Sequence, residues 1–442
     1  MDRDANQLAR PLTPLARSAS ARRVAVIGGG WAGIAAAIEA TGRGHRVTLF
    51  EMAAQLGGRA RKVDIDGLAV DNGQHILIGA YTQTLAMMRR VGVDPEAALL
   101  RLPLRLVRPD GRGLVLPPGT PRLAFVRAVC THPQWGWRDR GSLLGAAARW
   151  SLRGFRCAGE TTVAQLCRAL TPAVYHELIE PLCVAALNTP AREASASVFL
   201  RVLRDALFGG LGASDLLLPR RHLSALLPEP AALWLGANGA ELRLSRRVTR
   251  VEAGDGGWRV DDEAFDAVVL ATPPREASRL AHAAAPDWAA SAAALQFRPI
   301  ITVYVSSPGT RLIQPMLSLP ADDTTAPAQF VFDLGALRGH RGVLAFVVSG
   351  AETWVERGLD ATLRATLEQA RRSLGPALRT PPQGLRAFTE RRATFACTPG
   401  LRRPWPRIAA GLHAAGDYVD GPYPATLEGA VRAGIAAADS LR

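Results

Sequence analysis

Lysine is almost absent from this sequence, since Lys62 is the only lysine and the other 52 of its 53 basic residues are arginines. The formal net charge of +14 invites a nucleic-acid-binding interpretation. The arginines are nevertheless scattered through every segment, and no nucleic-acid-binding motif accompanies them. We therefore expect no nucleic-acid partner, and we expect the positive surplus to favour contact with an anionic membrane surface.

Cysteine pairs, metal-ligand spacings and long apolar runs are also lacking. The five cysteines form no CxxC pair and leave an odd count, and the eight histidines show no metal-ligand spacing. This usage predicts a reducing cytoplasmic location, with no disulfide framework and no metal. The apolar run at 24–38 is 15 residues long, which is too short to span a membrane.

The chain is long enough for two domains with sizeable cores, because it has 442 residues of which 48% are hydrophobic and 21% charged. Residues 1–22 are polar, arginine-rich and interrupted by proline, which predicts a disordered tail. The remainder of the chain has the composition of a soluble globular enzyme.

A glycine motif comes directly after the first apolar run. The β-branched segment 24–27 has the composition of a buried parallel strand, and Gly28, Gly30 and Gly33 then lead into an alanine-rich stretch. In this pattern the first glycine makes a tight turn, the second admits a pyrophosphate and the third allows close helix–strand packing. Glu51 ends a second predicted strand, close to the spacing of about 20 residues at which an acid binds ribose hydroxyls. Together they predict a dinucleotide-binding unit.

Later segments predict how the chain is divided. Strands are expected at 241–244, 247–251, 258–260 and 267–274, and again at 300–305 and 343–348, with a helix at 359–373. Basic amphipathic helices are expected at 142–153 and 198–208, either on a membrane or packed on a core, and the almost uncharged segment 181–189 suits a pocket wall. We predict an α/β fold, with a Rossmann-like domain from residues 23–80, 211–284 and 395–442. A discontinuous α+β substrate domain is expected from 81–210 and 285–394.

These motifs resemble the flavin amine oxidase/phytoene desaturase superfamily over almost the whole chain. The superfamily resemblance depends on the glycine motif, Glu51, Gly57-Gly58-Arg59 and Gly416-Asp417. The segment Asp71-Asn-Gly-Gln-His-Ile-Leu-Ile-Gly-Ala-Tyr81 is more specific and resembles one branch, hydroxysqualene dehydroxylase, also called squalene-associated FAD-dependent desaturase. This resemblance implies a two-domain flavoenzyme of the amine oxidase or glutathione reductase type, which removes the hydroxyl of a long apolar C30 isoprenoid alcohol. It also implies squalene-synthase-like enzymes as pathway neighbours.

The resemblance also implies a noncovalent FAD site formed by both ends of the chain. Gly57-Gly58-Arg59 is expected on the flavin side, and the start of a helix at Thr426 directs its positive end toward the flavin. The expected cofactor-binding set is Gly28, Gly30, Trp31, Ala32, Gly33, Glu51, Gly57, Gly58, Arg59, Gly73, Gln74, Val248, Gly416, Asp417, Thr426 and Leu427.

Loss of a hydroxyl requires a proton donor, and His75 is the candidate, with Asp71 as a possible orienting partner. The other interpretation of His75 is a histidine that merely packs beside the flavin ring. Three further functions stay open. An amine oxidase often has a lysine near the flavin, a carotenoid-type desaturase has the same fold and cofactor, and a non-enzymatic FAD-binding scaffold needs neither substrate nor acid.

Overall fold

The computed structural model describes residues 21–207 and 209–441. The predicted tail at 1–22 therefore lies outside the described residues except for its last two positions. The strands of the described part are β1 (Arg23–Ile27), β2 (Arg46–Phe50), β3 (Lys62–Ile65), β4 (Leu68–Asp71), β5 (Leu77–Ile78), β6 (Leu99–Leu102), β7 (Arg105–Val107), β8 (Gly113–Val115), β9 (Leu216–Pro219), β10 (Glu241–Arg243), β11 (Val251–Gly254), β12 (Gly257–Val260), β13 (Glu263–Phe265), β14 (Ala267–Leu270), β15 (Phe297–Ser306), β16 (Met316–Ser318), β17 (Phe330–Asp333), β18 (Val343–Ser349), β19 (Gln383–Phe395), β20 (Arg407–Ala409) and β21 (Leu412–Ala414).

Six of the α-helices follow one another between β8 and β9, and a short π-helix (Tyr175–Ile179) joins two of these six. In chain order they are α1 (Trp31–Gly42), α2 (Thr82–Arg90), α3 (Pro95–Ala98), α4 (Pro121–Cys130), α5 (Trp137–Leu152), α6 (Val163–Leu166), α7 (Pro172–Val174), α8 (Glu180–Leu187), α9 (Ala196–Leu207), α10 (Leu223–Leu226), α11 (Pro228–Ala237), α12 (Pro274–Ala281), α13 (Pro286–Ala293), α14 (Leu334–Arg338), α15 (Glu352–Arg357), α16 (Leu359–Leu374) and α17 (Leu427–Asp439). None of the helices within the described ranges is both long and apolar enough to cross a membrane.

A six-stranded sheet brings distant parts of the chain together in the order β10-β2-β1-β14-β21-β20. Its first five strands run parallel, and β20 is antiparallel at the edge. The central strands β1 and β14 are short aliphatic runs buried along nearly their whole length, as a sheet covered on both faces requires. The predicted Rossmann-like fold is confirmed.

The second domain contains an antiparallel sheet in the order β16-β17-β18-β15-β19. Strand β17 is buried throughout, and β15 and β18 are buried along most of their length. Helix α16 packs against β15 and β19 on one side. The other side of the sheet contributes Met316, Phe330 and Phe332 to a large cavity. This sheet therefore forms one wall of the site.

Three features differ from the sequence-based expectation. The strand predicted at 267–274 ends at Leu270, and α12 begins at Pro274. The predicted strand at 247–251 begins only at Val251, because the backbone N–H groups of Thr249 and Arg250 donate to the Asp261 carboxylate instead of to a neighbouring strand. The predicted domain boundary at residue 80 also separates residues that share a core. Helix α2 packs on α17, where Glu428 accepts hydrogen bonds from its first turn. Helix α2, which the expectation gave to the substrate domain, thus packs with the last helix of the nucleotide-binding fold.

Candidate active site

The turn between β1 and α1 requires glycine at one position, and the first turn of α1 requires it at another. Gly28 has a φ of +109°, and a Cβ there would lie 2.5 Å from the Ala271 carbonyl oxygen. A Cβ on Gly33 would lie 1.8 Å from the Gly28 carbonyl oxygen, so this glycine permits close packing of helix on strand. Apart from its chain neighbours, a Cβ on Gly30 would have no atom of the described residues within 4 Å. Helix α1 begins directly after Gly30 without a side-chain cap, which leaves its N–H groups for a phosphate.

Glu51 is held rigidly at the end of β2. One carboxylate oxygen accepts a hydrogen bond from the Gly29 N–H at 2.6 Å, and the other accepts from the Ala53 N–H at 2.8 Å. The side chain lines the cavity although the residue is only 8% exposed. Each oxygen retains a lone pair, so the fixed carboxylate can also accept from ribose hydroxyls.

The two ends of the chain meet through an ion pair between Arg59 and Asp417. The guanidinium nitrogen lies 2.5 Å from the carboxylate oxygen, and another guanidinium nitrogen donates to the Ala393 carbonyl oxygen at 2.6 Å. Gly57 is fixed beside the glycine turn because its N–H donates to the Gly29 carbonyl oxygen at 2.8 Å. Helix α17 begins nearby, capped by Thr426, whose hydroxyl accepts from the Gly429 N–H at 3.0 Å.

One cavity of about 1150 Å³ joins these features. Of the expected cofactor-binding set, Gly33 alone is outside its lining, because it lies in the contact between helix and strand. The other members of the set all line the cavity: Gly28, Gly30, Trp31, Ala32, Glu51, Gly57, Gly58, Arg59, Gly73, Gln74, Val248, Gly416, Asp417, Thr426 and Leu427. The remaining lining is largely apolar and includes Leu143, Trp150, Leu182, Met316, Phe330 and Phe332. Because ligand sites usually measure roughly 300–1,000 Å³, this cavity can hold a long cofactor together with an apolar chain.

The residues present fit FAD. The glycine turn leaves open space beside uncapped helix N–H groups, and the fixed Glu51 carboxylate lies at the same end of the cavity. The Arg59–Asp417 pair and the N-terminus of α17 supply charged and dipolar groups elsewhere along it. When bound, FAD supplies hydride chemistry to whatever occupies the apolar part.

His75 lies in the cavity wall and is hydrogen-bonded through Nδ1 to the Gly73 carbonyl oxygen at 2.7 Å. A carbonyl only accepts, so Nδ1 carries a proton and Nε2 is the atom available to a ligand. Burial lowers the pKa of His75 below 6.5, against the opposing effects of the Gly73 carbonyl and the Asp71 charge. The ring is therefore neutral near pH 7, and protonation would make Nε2 a donor.

Asp71 does not orient His75 by a hydrogen bond, contrary to the expectation from sequence. Its carboxylate is fully buried, pairs with the guanidinium of Arg338 and accepts from the Leu223 N–H at 2.7 Å. Its carbonyl oxygen accepts from the Tyr304 hydroxyl at 2.7 Å. Asp71 thus fixes the end of β4, from which the loop to His75 starts, and acts on the ring only through the backbone and its charge.

Replacing Arg338 with methionine is expected to destabilise the protein strongly. The change leaves the Asp71 carboxylate buried without a counter-charge, which typically costs about 3–5 kcal/mol of unfolding free energy. Urea denaturation measures this loss, and Arg371→Met serves as a control because its pair with Glu368 is exposed. The control is expected to cost less than about 1 kcal/mol. Equal small losses in both variants would contradict the assigned role of Arg338.

Lys62 has a structural position outside the cavity. Its ammonium group forms an ion pair with Glu229 at 2.8 Å, and both side chains are nearly half exposed. Lys62 is the only lysine of the sequence and does not line the cavity. The described cavity therefore lacks the flavin-side lysine that an amine oxidase often uses.

Comparison with known proteins identifies the family. The model of flavin containing amine oxidoreductases matches residues 31–442. The chain belongs to this family. A solved structure of an oxidoreductase from Methanosarcina mazei has the same fold, with a TM-score of 0.71 at 17% identity, over 94% of this chain and 99% of that one.

Curated relatives point to a branch of the family. The hydroxysqualene dehydroxylase of Rhodopseudomonas palustris is 29% identical, over 95% of this chain and 98% of its own length. That of Sinorhizobium fredii is 27% identical, over 95% and 98%. The carotenoid phi-ring synthase of Streptomyces griseus is 31% identical, but over only 67% of this chain and 62% of its own. The predicted family, with its flavin cofactor, is confirmed.

Proposed function

We propose that this protein is an FAD-dependent enzyme that reductively removes the hydroxyl of hydroxysqualene to give squalene. The observation that carries the proposal is the position of the segment containing His75. This segment brings the His75 ring into the wall of the cavity. The expected cofactor residues line one part of that cavity, and apolar side chains line another part. The full-length similarity to two hydroxysqualene dehydroxylases supports the substrate.

The chain's own residues have separate tasks in this reaction. The apolar walls bind the hydrocarbon and keep out water, which would otherwise recapture an allylic cation. His75 in its protonated form donates from Nε2 to the substrate's oxygen, so that the C–O bond breaks and the oxygen leaves as water. FAD held in its reduced form by the cofactor-binding residues would supply the hydride chemistry by which hydrogen replaces the hydroxyl on carbon.

The experiment for this proposal is anaerobic incubation of the reduced enzyme with hydroxysqualene, followed by quantification of squalene. A C40 polyene and a primary amine, each given to the oxidised enzyme, test desaturation and amine oxidation. We expect squalene only from the alcohol and no flavin reduction by either of the other two. Flavin reduction by the polyene, without squalene formation from the alcohol, would favour a desaturase.

We further propose that the protein binds peripherally to the anionic inner face of the cell membrane. Helices α4 and α5 support this, because they line the cavity with one side and expose Leu123, Val126, Trp137 and Leu152 on the other. We call these four exposed residues the α4–α5 face. Leu152 is 88% exposed and Trp137 is 78% exposed.

Basic side chains accompany this face. Arg127, Arg138 and Arg149 lie on the same two helices and are exposed. Apolar insertion together with cationic side chains favours anionic headgroups. A substrate insoluble in water would then pass from the bilayer into a cavity walled by the same helices.

Liposome flotation tests the membrane proposal. The FAD-loaded protein is expected to float with anionic liposomes at low salt, to float less with neutral ones, and to be released by salt as charge screening increases. Leu123→Ser/Leu152→Ser is expected to reduce flotation several-fold, whereas Leu233→Ser, at an equally exposed leucine of α11, is expected to leave it unchanged. Absence from both floated fractions would contradict the proposal.

A further inference from the structure

One face of strand β15 meets the chain segment that leads to His75. Alternate residues of a strand share a face, so Ile300, Thr302 and Tyr304 lie on the same side of the sheet. The Tyr304 hydroxyl donates to the carbonyl oxygen of Asp71, and Ile300 lines the cavity. This face therefore borders both the segment that starts at Asp71 and the cavity itself.

The His75 ring lies close to Thr302 on this face. A Cβ on Gly73 would be 3.8 Å from the Cε1 atom of His75 and 3.9 Å from the Thr302 hydroxyl oxygen. The ring and the hydroxyl are thus neighbours of the same point. Ile300 is the next residue along the face, about 7 Å from Thr302. His75 and Ile300 both line the cavity, so the proton donor of the proposed reaction lies over the middle of β15.

Glu390 lies directly opposite Ile300, on the neighbouring strand β19. Residues opposite each other in an antiparallel pair share a face, with Cβ atoms roughly 4.5–5.5 Å apart. The side chain of Glu390 lines the cavity, as does Ser349, which is opposite Ile300 on the other neighbouring strand, β18. The Glu390 carboxylate therefore belongs to the cavity wall beside the part of the sheet that His75 covers.

A β-bulge fixes this carboxylate. The pairing of β19 with β15 shifts register between Glu390 and Thr394. One Glu390 oxygen accepts from the Arg392 N–H within the bulge at 3.1 Å. Arg59, from the expected cofactor-binding set, donates to the carbonyl oxygens of Arg392 and Ala393 at 3.1 and 2.6 Å. Bulges often re-aim side chains next to active sites, and this one joins Glu390 to the cofactor part of the cavity.

The other acidic side chains that line the cavity have partners of their own. Glu51 accepts from two backbone N–H groups beside the glycine turn. Three others form ion pairs: Asp417 with Arg59, Glu276 with Arg279, and Asp205 with Arg201 and Arg204. Glu390 forms no ion pair with the described residues, and one of its two oxygens has no hydrogen bond to them. That oxygen is available to a positive charge inside the cavity.

We propose that Glu390 stabilises the positive charge that forms on the substrate when its hydroxyl leaves. This inference rests on the proposed function, which supplies an allylic alcohol. His75 protonates the hydroxyl oxygen, and the C–O bond breaks with its electron pair on that oxygen, which leaves as water. The carbon keeps a positive charge until it takes up the hydride of the proposed reaction. A fixed carboxylate beside that carbon stabilises the charged state more than the neutral alcohol, and such differential binding accelerates a reaction.

The test uses an amine in which NH₂⁺ replaces the carbon that carries the hydroxyl of hydroxysqualene. An aliphatic amine is protonated at neutral pH, so this compound carries the charge of the reacting state. Squalene has an uncharged CH₂ group at the same position and is the neutral counterpart. Dissociation constants of both compounds are measured for the oxidised, FAD-loaded enzyme, and the absorbance of oxidised flavin shows that the amine is not consumed.

Glu390→Gln is expected to weaken binding of the amine by roughly 10- to 100-fold, the usual effect of losing a hydrogen bond to a charged group. Binding of squalene is expected to stay within a few-fold, because glutamine keeps the shape of the side chain and an oxygen that accepts from the Arg392 N–H. Glu356→Gln makes the same change at an exposed glutamate of α15 outside the cavity lining and is the matched control, with both constants unchanged.

The outcomes separate this inference from the proposed function. Equal binding of the amine by the wild type and Glu390→Gln would overturn the role of Glu390, even if the reduced enzyme makes squalene. A loss of affinity for the amine and squalene alike, or an equal loss in Glu356→Gln, would overturn it as well. Selective loss of the amine, in an enzyme that fails to make squalene, would support the charge site and contradict the proposed reaction.

Discussion

Replacement of His75 by alanine is expected to lower single-turnover formation of squalene by roughly 10²–10⁴-fold, the usual effect of losing a general acid. The variant is expected to bind FAD normally, because the ring contributes Nε2 to the cavity and its Nδ1 bond to Gly73 is local. His75→Gln can form a hydrogen bond but cannot donate a proton as an acid near neutral pH, so it is expected to be nearly as slow. The rates are measured as oxidation of reduced flavin by hydroxysqualene.

The pH dependence gives this prediction a second measurement. Because burial lowers the pKa of His75, the fraction of protonated ring falls as pH rises from 6 to 9. The wild-type kcat/KM is therefore expected to decrease by about tenfold per pH unit above that pKa, because the reaction requires one protonated group. The Gln variant is expected to show no such slope. A Gln variant within a few-fold of wild type, with the same slope, would assign the proton to another group.

Substitution of Glu51 by arginine is expected to abolish retention of FAD. The change removes the acceptor for ribose hydroxyls and the two bonds to the Gly29 and Ala53 N–H groups, and it adds a positive charge in a residue that is 8% exposed. The measurement is the ratio of flavin to protein absorbance after gel filtration. Far-ultraviolet circular dichroism shows whether the apoprotein remains folded.

A matched substitution separates the site from the charge change. Glu252→Arg makes the same replacement at an exposed position of strand β11 in the same domain, and it is expected to keep the wild-type flavin content. Full flavin absorbance in the Glu51→Arg protein would refute the assignment of Glu51 to the ribose.

Local patterns predicted the cofactor end of the molecule well. The glycine turn and Glu51 lie within one β–α–β unit, where spacing and residue type follow from the geometry of a strand, a tight turn and a helix. The apolar wall at 181–189 was also predictable, because α8 supplies Leu182 to the cavity. The strand expected at 247–251 was wrong, since alternation of residue types does not reveal a competing carboxylate such as Asp261.

Contacts between distant segments were not predictable in the same way. The sequence offers Asp71 as an orienting partner for the nearby His75. Its counter-ion is instead Arg338, which is 267 residues away in the chain. Asp205 and Tyr423 likewise line one cavity only because α9 and the loop before α17 both border it. Their one sequence signal is an acid on an amphipathic face, and such acids are usually solvated.

The central claim is tested most directly by mixing fully reduced, FAD-loaded enzyme with excess hydroxysqualene without oxygen and following flavin absorbance and squalene together. The proposed function predicts that flavin is oxidised in a single turnover and that one squalene appears for each flavin oxidised. Flavin that stays reduced while the alcohol is bound, or flavin oxidation without squalene, would contradict it.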